Sequence, residues 1–434
     1  MARDAASTGT VVVVGGGMAG LVAAACVARA GRPVVLFEKA REAGGRARTQ
    51  VEEGFHWNLG PHALYAGGAA ARVLRELAVP FSGAKPSVAG FVVDRGAKHT
   101  LPGGLVSLLS TRYFGLGAKL ETARLLAGLP RVDAAALARV PVGEWLGREI
   151  AHDDVRRLVE ALFRLSTYAN SAEQSAGVAV ANLQLALARG VLYLDGGWQT
   201  MVDGLRAIAV AAGARIETGT RVTAVRHDGQ VRAVRLADGT ETACDAVIAT
   251  GSPADAAGLL EASDATPLAQ WTTPMRPVRA ACLDVGLSRL PVPQATFALG
   301  VDEPVYASVH STVAKLHPGT GMVVHVAKYL PVGMDGEARA DERQLEGVLD
   351  LLQPGWRDVV VARRFLPDLT VSHALVTATG GGLAGRPGPA VPGVRGFYVA
   401  GDWVGGEGLL LDASAASAAL ASRLVLAHPA RAAA

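Results

Sequence analysis

The sequence is most constrained near its start. Thr10 is followed by four valines, Val11 to Val14, and then by Gly15-Gly16-Gly17-Met18-Ala19-Gly20, so Gly15, Gly17 and Gly20 satisfy GxGxxG. A short β-branched run predicts a strand buried on both faces. The Ala-rich stretch from Leu21 to Ala30, stopped by Gly31, predicts a helix, and Pro33 to Phe37 predicts a second strand ending at Glu38. Gly15 allows the tight turn and Gly17 lets backbone approach a pyrophosphate. Gly20 permits close packing of helix on strand, and the helix N-terminus offers free N–H groups to phosphate. Glu38 stands 23 positions past Gly15, near the roughly 20 expected of a carboxylate that accepts from ribose hydroxyls. The pattern predicts dinucleotide binding, and an acid at the strand end favours FAD or NAD over NADP.

The next stretch separates those two. Lys39 leads to Gly44-Gly45-Arg46-Ala47-Arg48-Thr49, two glycines followed by arginines that can wrap backbone and guanidinium around a diphosphate already held on one side. A simple nicotinamide dehydrogenase has no need of this second loop, so FAD is the expected cofactor.

Two further blocks carry a resemblance. One is Gly196-Gly197-Trp198-Gln199-Thr200-Met201 with its helix, followed by Thr220 to Val225. The other is Gly396 to Trp403, containing Gly401-Asp402, and continuing through Gly405 to Leu411 into Asp412-Ala413-Ser414. With the amino-terminal block, these make the chain resemble the flavin-containing amine oxidase superfamily, and within it the phytoene (carotenoid) desaturase-like branch. The resemblance implies an α/β fold: a Rossmann-type FAD-binding domain (GR2-like) with a discontinuous α+β substrate domain. It implies that Val222 meets the adenine side through its backbone and that Asp402 holds the ribityl or pyrophosphate region. Backbone from Leu411 to Ala413 would face the flavin pyrimidine, where the dipole of an Ala/Ser-rich helix starting near Asp412 would stabilise negative charge on the reduced ring. The expected cofactor contacts are Gly15, Gly17, Met18, Ala19, Gly20, Glu38, Lys39, Gly45, Arg46, Gly60, Pro61, His62, Val222, Gly251, Gly401, Asp402, Leu410, Leu411 and Ala413.

Because these blocks are scattered, the domains must be discontinuous. The expected cofactor domain takes residues 1–85, 193–262 and 388–434, and the substrate domain takes 86–192 and 263–387. The first substrate-domain piece reads as helices over Leu116–Leu129, Val142–Ile150, Val155–Leu165 and Ala176–Ala188. The second reads as an antiparallel sheet over Val278–Val285, Ala295–Leu299, Tyr306–Val309 and Met322–Tyr329, with a helix over Asp341–Leu352. A helix over Trp198–Ala212 precedes hairpin turns at Asp228-Gly229 and Asp238-Gly239, then a buried strand from Asp245 to Thr250. The tail from Ala427 to Ala434 is expected to fray.

In the amine-oxidising members a lysine lies on the strand entering the substrate sheet, and aromatic residues bracket the amine. The matching strand here, Pro277 to Val285, has Arg279 but no lysine, and Leu409, Leu410 and Leu411 stand where a tyrosine is expected. The resemblance therefore implies an apolar small-molecule substrate. Asn58 to Tyr65 would pass close to the flavin ring, which makes His62 and Tyr65 the candidate catalytic residues, for moving a proton or orienting substrate. The expected activity is removal of hydride from an apolar substrate, as in a phytoene desaturase-like dehydrogenase. The alternatives are an oxidase of a bulky amine or porphyrinogen-type metabolite, a redox-neutral flavin isomerase, and a flavin-binding protein without turnover.

Composition narrows the partners. With 42 basic and 39 acidic residues the chain carries +3, too little for a nucleic-acid footprint. Cys26, Cys244 and Cys282 have no CxxC spacing and read as buried reduced thiols, consistent with a cytoplasmic protein. His310, His317 and His325 stand seven and eight residues apart and would need a carboxylate or another histidine converging on them to bind a metal; they read as strand and loop histidines, and no metal site is expected. Glycines interrupt the apolar run from Val11 to Ala30, which argues against a membrane span or targeting segment. The stretch Leu105 to Arg131, apolar but carrying Arg112, Lys119, Arg124 and Arg131, reads either as helix packed on its own domain or as an amphipathic segment resting on a membrane surface. Nothing in the sequence sets an oligomeric state.

Overall fold

The structure, a computed structural model, describes residues 9–260 and 266–427. The tail expected to fray lies, from residue 428 onward, outside the described residues.

The valine run forms the central strand, Val11–Val14, of a five-stranded parallel sheet. Val34–Glu38 and then Arg215–Thr218 lie on one side, and Ala246–Ala249 and then Phe397–Val399 on the other. The strand order therefore reverses beside Val11–Val14, and the crevice opens at its carboxyl end, where Gly15 begins the first turn. Val11 and Val13 face one core and Val12 the other, and all three are fully buried, as a strand covered on both faces requires.

On one face pack the helices Met18–Arg29, Gln199–Ala211 and Leu410–Ala427. The first starts three residues earlier than its sequence predicts, because Gly17 is already the extended N-cap. Leu410–Ala427 is long and apolar enough to cross a membrane by length and composition, but it packs on Met18–Arg29 and Ala69–Glu76, and half of it is buried inside the protein. On the other face lies an antiparallel meander of Val222–His227, Val231–Leu236 and Glu241–Ala243, turning at Gly229 and Gly239 as expected.

A second sheet has seven strands in the order Val360–Ser372, Val278–Leu287, Met322–Tyr329, Val305–Val309, Phe297–Gly300, Phe91–Asp94, Ala97–Thr100. It is mixed rather than antiparallel throughout, since Phe297–Gly300 pairs in parallel with Phe91–Asp94. The hairpin that contributes Phe91–Asp94 sits ahead of the expected helices, where the sequence reading named no element. Its turn is Arg95-Gly96, both with positive φ, and Arg at the first position hides the usual Asn/Asp signal. The edge strand Val360–Ser372 was also not expected: Pro367 interrupts it at a register irregularity, which only an edge tolerates. Helices Leu105–Ser110, Leu116–Gly128, Val142–Glu149, Asp153–Thr167 and Ala176–Arg189 supply the core on one face of this sheet, and Ala338–Leu352 covers the other.

Candidate functional site

A cavity of about 850 Å³ runs between the two sheets, near the upper end of the ~300–1,000 Å³ typical of small-molecule sites. The first and last blocks of the sequence both open onto it. Gly15, Gly17, Met18 and Ala19 line it at one end of the chain, and Gly401, Asp402, Leu410, Leu411, Asp412 and Ser414 at the other. Two helix N-termini, those of Met18–Arg29 and Leu410–Ala427, thus face one space.

The first turn is built for close approach. Gly15 has φ +108, and its N–H donates to the Phe37 carbonyl at 2.8 Å. Gly17 caps the helix with no side-chain partner, and a Cβ there would meet no protein atom within 4 Å. Gly20 does not line the cavity. A Cβ at Gly20 would sit 1.9 Å from the Gly15 carbonyl oxygen, so its role is to let the helix pack on the turn. Glu38 lines the cavity at the strand end. Its carboxylate accepts from the Gly16 and Ala40 N–H groups, which fixes it at the rim. Lys39 lines the same rim, paired with Asp255 at 3.7 Å.

The second glycine loop is clamped to the first. The Gly44 N–H donates to the Gly16 carbonyl at 2.7 Å, and Gly44 and Gly45 both have positive φ. This carries Gly45 and Arg46 onto the cavity wall. Arg46 pairs with Asp402 at 2.7 Å and donates to the Val371 carbonyl at 2.8 Å. Asp402, 2% exposed, is also met by His373 Nδ1 at 3.0 Å. Burial alone would raise its pKa, but the Arg46 guanidinium and His373 outweigh it and hold the carboxyl well below the usual range. Arg386 clamps the same block from behind, donating to the Asp402 and Gly408 carbonyls at 2.9 and 2.6 Å. Burial pushes that guanidinium down to about 10 against the pull of Asp402.

Val222 and Gly251 line the remaining wall of this end, with Thr220, Arg221 and Thr250 beside them. Trp403 Nε1 donates to the Gly251 carbonyl at 3.2 Å and so ties the third block to it.

The other end of the cavity is apolar. Leu59, Ala63, Leu64, Ala280, Cys282, Leu369, Val371, Leu410 and Leu411 line most of it, with Pro61, His62, Tyr65, Tyr168 and Trp198, and with Asp368 and Thr370 between the aliphatic residues of the edge strand. Gly60 is set back: φ +79 turns the chain, and a Cβ would press within 3.0 Å of Cys282 Sγ. Ala413 is fully buried, its N–H donating to the Leu409 carbonyl at 3.3 Å, so the cavity is lined by its neighbours Leu411, Asp412 and Ser414. Leu410 adopts φ +54, which turns the chain into the last helix.

His62 bonds the Gly60 carbonyl through Nδ1 at 2.9 Å, and its ring meets Trp198 edge-on at 4.4 Å between centroids. Burial pushes its pKa down to about 4, opposed by the Gly60 bond, so it is neutral near pH 7 and able to accept a proton. The Tyr65 hydroxyl donates to the Ser166 carbonyl at 2.7 Å and accepts from Asn182 at 3.1 Å. Its proton is thus already committed, and burial pushes its pKa up. Tyr168 donates to the Pro61 carbonyl at 3.0 Å and steadies the His62 turn. Behind that turn the Arg364 guanidinium joins the Asn58 carbonyl to Asp284, and Asp284 accepts from His325 Nδ1 at 2.6 Å, both residues fully buried. This network holds the Asn58–His62 segment against the Val278–Leu287 strand.

Sequence reasoning did not reach His373, Arg386 or Tyr168, and it read Cys282 only as a buried thiol. None stands in a motif; His373, Tyr168 and Cys282 arrive at the cavity, and Arg386 behind it, through strand or loop pairing distant in sequence. Asp412 was named as a helix start but not as a cavity group. Its carboxylate accepts from the Ala70 N–H at 2.8 Å, and burial raises its pKa to about 6, partly opposed by that bond. Gly68 makes the contact possible, since a Cβ there would lie 2.2 Å from Asp412 Oδ2. Among the described residues no group of three or more His, Cys, Asp and Glu side chains could hold a metal. The three cysteines are free, and burial raises each thiol.

The paired glycine loops, an acid at the strand end and two helix N-termini facing one elongated space fit a dinucleotide whose second half is a flat ring. The sequence profile of the flavin-containing amine oxidoreductase family matches residues 18–286. Hydroxyneurosporene desaturase of Cereibacter sphaeroides is 28% identical over 279 residues, 56% of each chain. The 4,4'-diapolycopene oxygenase of Methylomonas sp. is 26% identical over 279 residues, 55% of this chain and 54% of its own. The chain thus spans about half the length of these curated relatives. The crystal structure of an oxidoreductase from Methanosarcina mazei superposes with a TM-score of 0.74 over 96% of this chain and 100% of that one at 18% identity, a likeness of fold. With well over half of its residues matched, this chain belongs to the flavin-containing amine oxidoreductase family, a family of flavin-dependent oxidoreductases, and FAD is its cofactor.

Proposed function

We propose that this protein is an FAD-dependent dehydrogenase that oxidises an apolar, hydrocarbon-like substrate. The observation that carries the reading is the apolar end of the cavity. On the Val278–Leu287 strand the residues facing the cavity are Ala280 and Cys282. The cation of that strand, Arg279, is bound instead to Asp335 and Asp368, each at 3.0 Å. Leu410 and Leu411 line the same cavity, so aliphatic side chains reach it both from the sheet and from the entry to the last helix. Similarity to a carotenoid desaturase and a carotenoid oxygenase supports the same substrate class.

FAD, when bound, supplies two-electron oxidation by hydride acceptance. The Gly15–Gly17 turn and the Arg46–Asp402 pair would hold its diphosphate, and the Leu410–Leu411 entry to the last helix would hold its ring. Aliphatic walls exclude water from the reacting carbon. His62, neutral and in the wall, takes the proton lost when a carbon–carbon double bond forms.

One observation favours a second reading, oxidation of a bulky amine. Asp412 places a carboxylate, with a pKa of about 6, in the cavity wall near Tyr65, where an ammonium could seat. Anaerobic mixing of the FAD-loaded protein with candidate substrates decides between them. Loss of the visible flavin absorbance with a carotenoid-type polyene supports the proposal. Bleaching by amines alone, with peroxide on readmission of air, overturns it.

A further inference from the structure

Among the described residues twelve large hydrophobic side chains are exposed, and six of them fall between residues 85 and 131: Val88, Leu105, Val106, Leu109, Leu116 and Leu120. The most open are Leu116 at 87% and Val106 at 80%. They come together because helices Leu105–Ser110 and Leu116–Gly128 pack side by side, with Lys119 Nζ donating to the Leu109 carbonyl at 2.6 Å. The backbone at Val88 lies against Gly103, just before the first of these helices. Such a concentration of uncovered aliphatic surface marks an interaction site.

The charge of the same segment identifies the occupant. Residues 105–131 carry four Lys and Arg against one acid, a surplus of three, whereas the rest of the chain has 38 basic and 38 acidic residues. That acid is neutralised locally: Glu121 holds His152 and the Ala151 and His152 N–H groups. Arg112 and Arg124 are exposed beside the leucines. Exposed arginines on the same segment as exposed aliphatics match an anionic bilayer, whose headgroups take the cations while its acyl region takes the side chains.

We propose that the face formed by Leu105–Ser110 and Leu116–Gly128 docks the protein on anionic lipid surfaces. It belongs to the helical layer whose Asp153–Thr167 helix ends at Tyr168 in the cavity wall, so the docked face and the apolar end of the cavity share one structural unit.

The test is flotation of the FAD-loaded protein with vesicles of phosphatidylcholine alone or with about a quarter phosphatidylglycerol. Val106→Glu/Leu116→Glu is compared with Met334→Glu, a charge placed on another exposed hydrophobic residue, 62% open. The wild type and Met334→Glu should float with the anionic vesicles and release as salt rises. The double variant should partition about tenfold less or weaker, with unchanged flavin content. Absence of wild-type flotation, or flotation that survives the double substitution, overturns the proposal. So does equal loss in Met334→Glu, or a wild-type dimer that the double variant dissolves without any vesicle binding, which would make a second copy the occupant.

Discussion

Gly17→Ala separates what the first turn does for the fold from what it does for the cofactor. Gly17 has φ −72 and ψ −178, extended geometry that alanine adopts freely, and its Cβ would enter open space. Alanine restricts the unfolded chain, worth about 0.4–1 kcal/mol, but it is a poorer N-cap than glycine, so stability should move by less than about 1 kcal/mol. The open space is where the pyrophosphate must approach. Overpacking a close contact costs about 1–3 kcal/mol, which weakens FAD binding roughly 5- to 150-fold. The control is Gly20→Ala, whose Cβ would land 1.9 Å from the Gly15 carbonyl and must displace backbone. Thermal unfolding of FAD-free protein and fluorescence titration with FAD read the two effects apart. Gly17→Ala should melt like wild type and bind FAD weakly, while Gly20→Ala should melt early. Wild-type FAD affinity in Gly17→Ala would refute placement of the pyrophosphate at this turn.

Two further outcomes follow from the buried titratable groups. Asp412, 3% exposed, has its pKa raised from 3.8 to about 6, so its protonated form is favoured by folding. That contribution is complete below pH 3.8 and is lost as pH rises through about 6, at most about 3 kcal/mol. Asp412→Asn should therefore flatten the stability of FAD-free protein across this window and raise its melting temperature at pH 8; an unchanged pH dependence would count against the burial argument. His62→Gln should keep its FAD content yet slow substrate-driven flavin reduction by about 10²-fold, whereas the wild-type rate, as far as His62 governs it, should hold from neutral pH down to about 4 and fall below. Equal reduction rates in variant and wild type would leave His62 as a spacer against Trp198.

The sequence made the cofactor end legible because that end depends on backbone. Glycines at fixed offsets, a β-branched run and an Ala/Ser-rich helix are local signals, and Gly15, Gly17, Gly45, Asp402 and Leu411 reach one cavity as those signals require. The five longer helices of the second unit, Leu116–Gly128, Val142–Glu149, Asp153–Thr167, Ala176–Arg189 and Ala338–Leu352, were visible within three residues at each end, whereas the short Leu105–Ser110 and Leu268–Thr272 were not. The Arg95-Gly96 hairpin and the proline-broken edge strand were not, because pairing with a distant partner decides them more than propensity does. The supports of Asp402 were hidden for the same reason. His373 and Arg386 lie 29 and 16 residues from it in sequence, with no periodic relation to it, and only the fold brings them together.

A crystal structure of the FAD-loaded protein tests the central claim most directly. The diphosphate should lie within hydrogen-bonding reach of the N–H groups opening the Met18–Arg29 helix, and the flavin ring against Leu410 and Leu411. Electron density showing FAD held by only one of these two ends, with its ring away from the last helix, would contradict it.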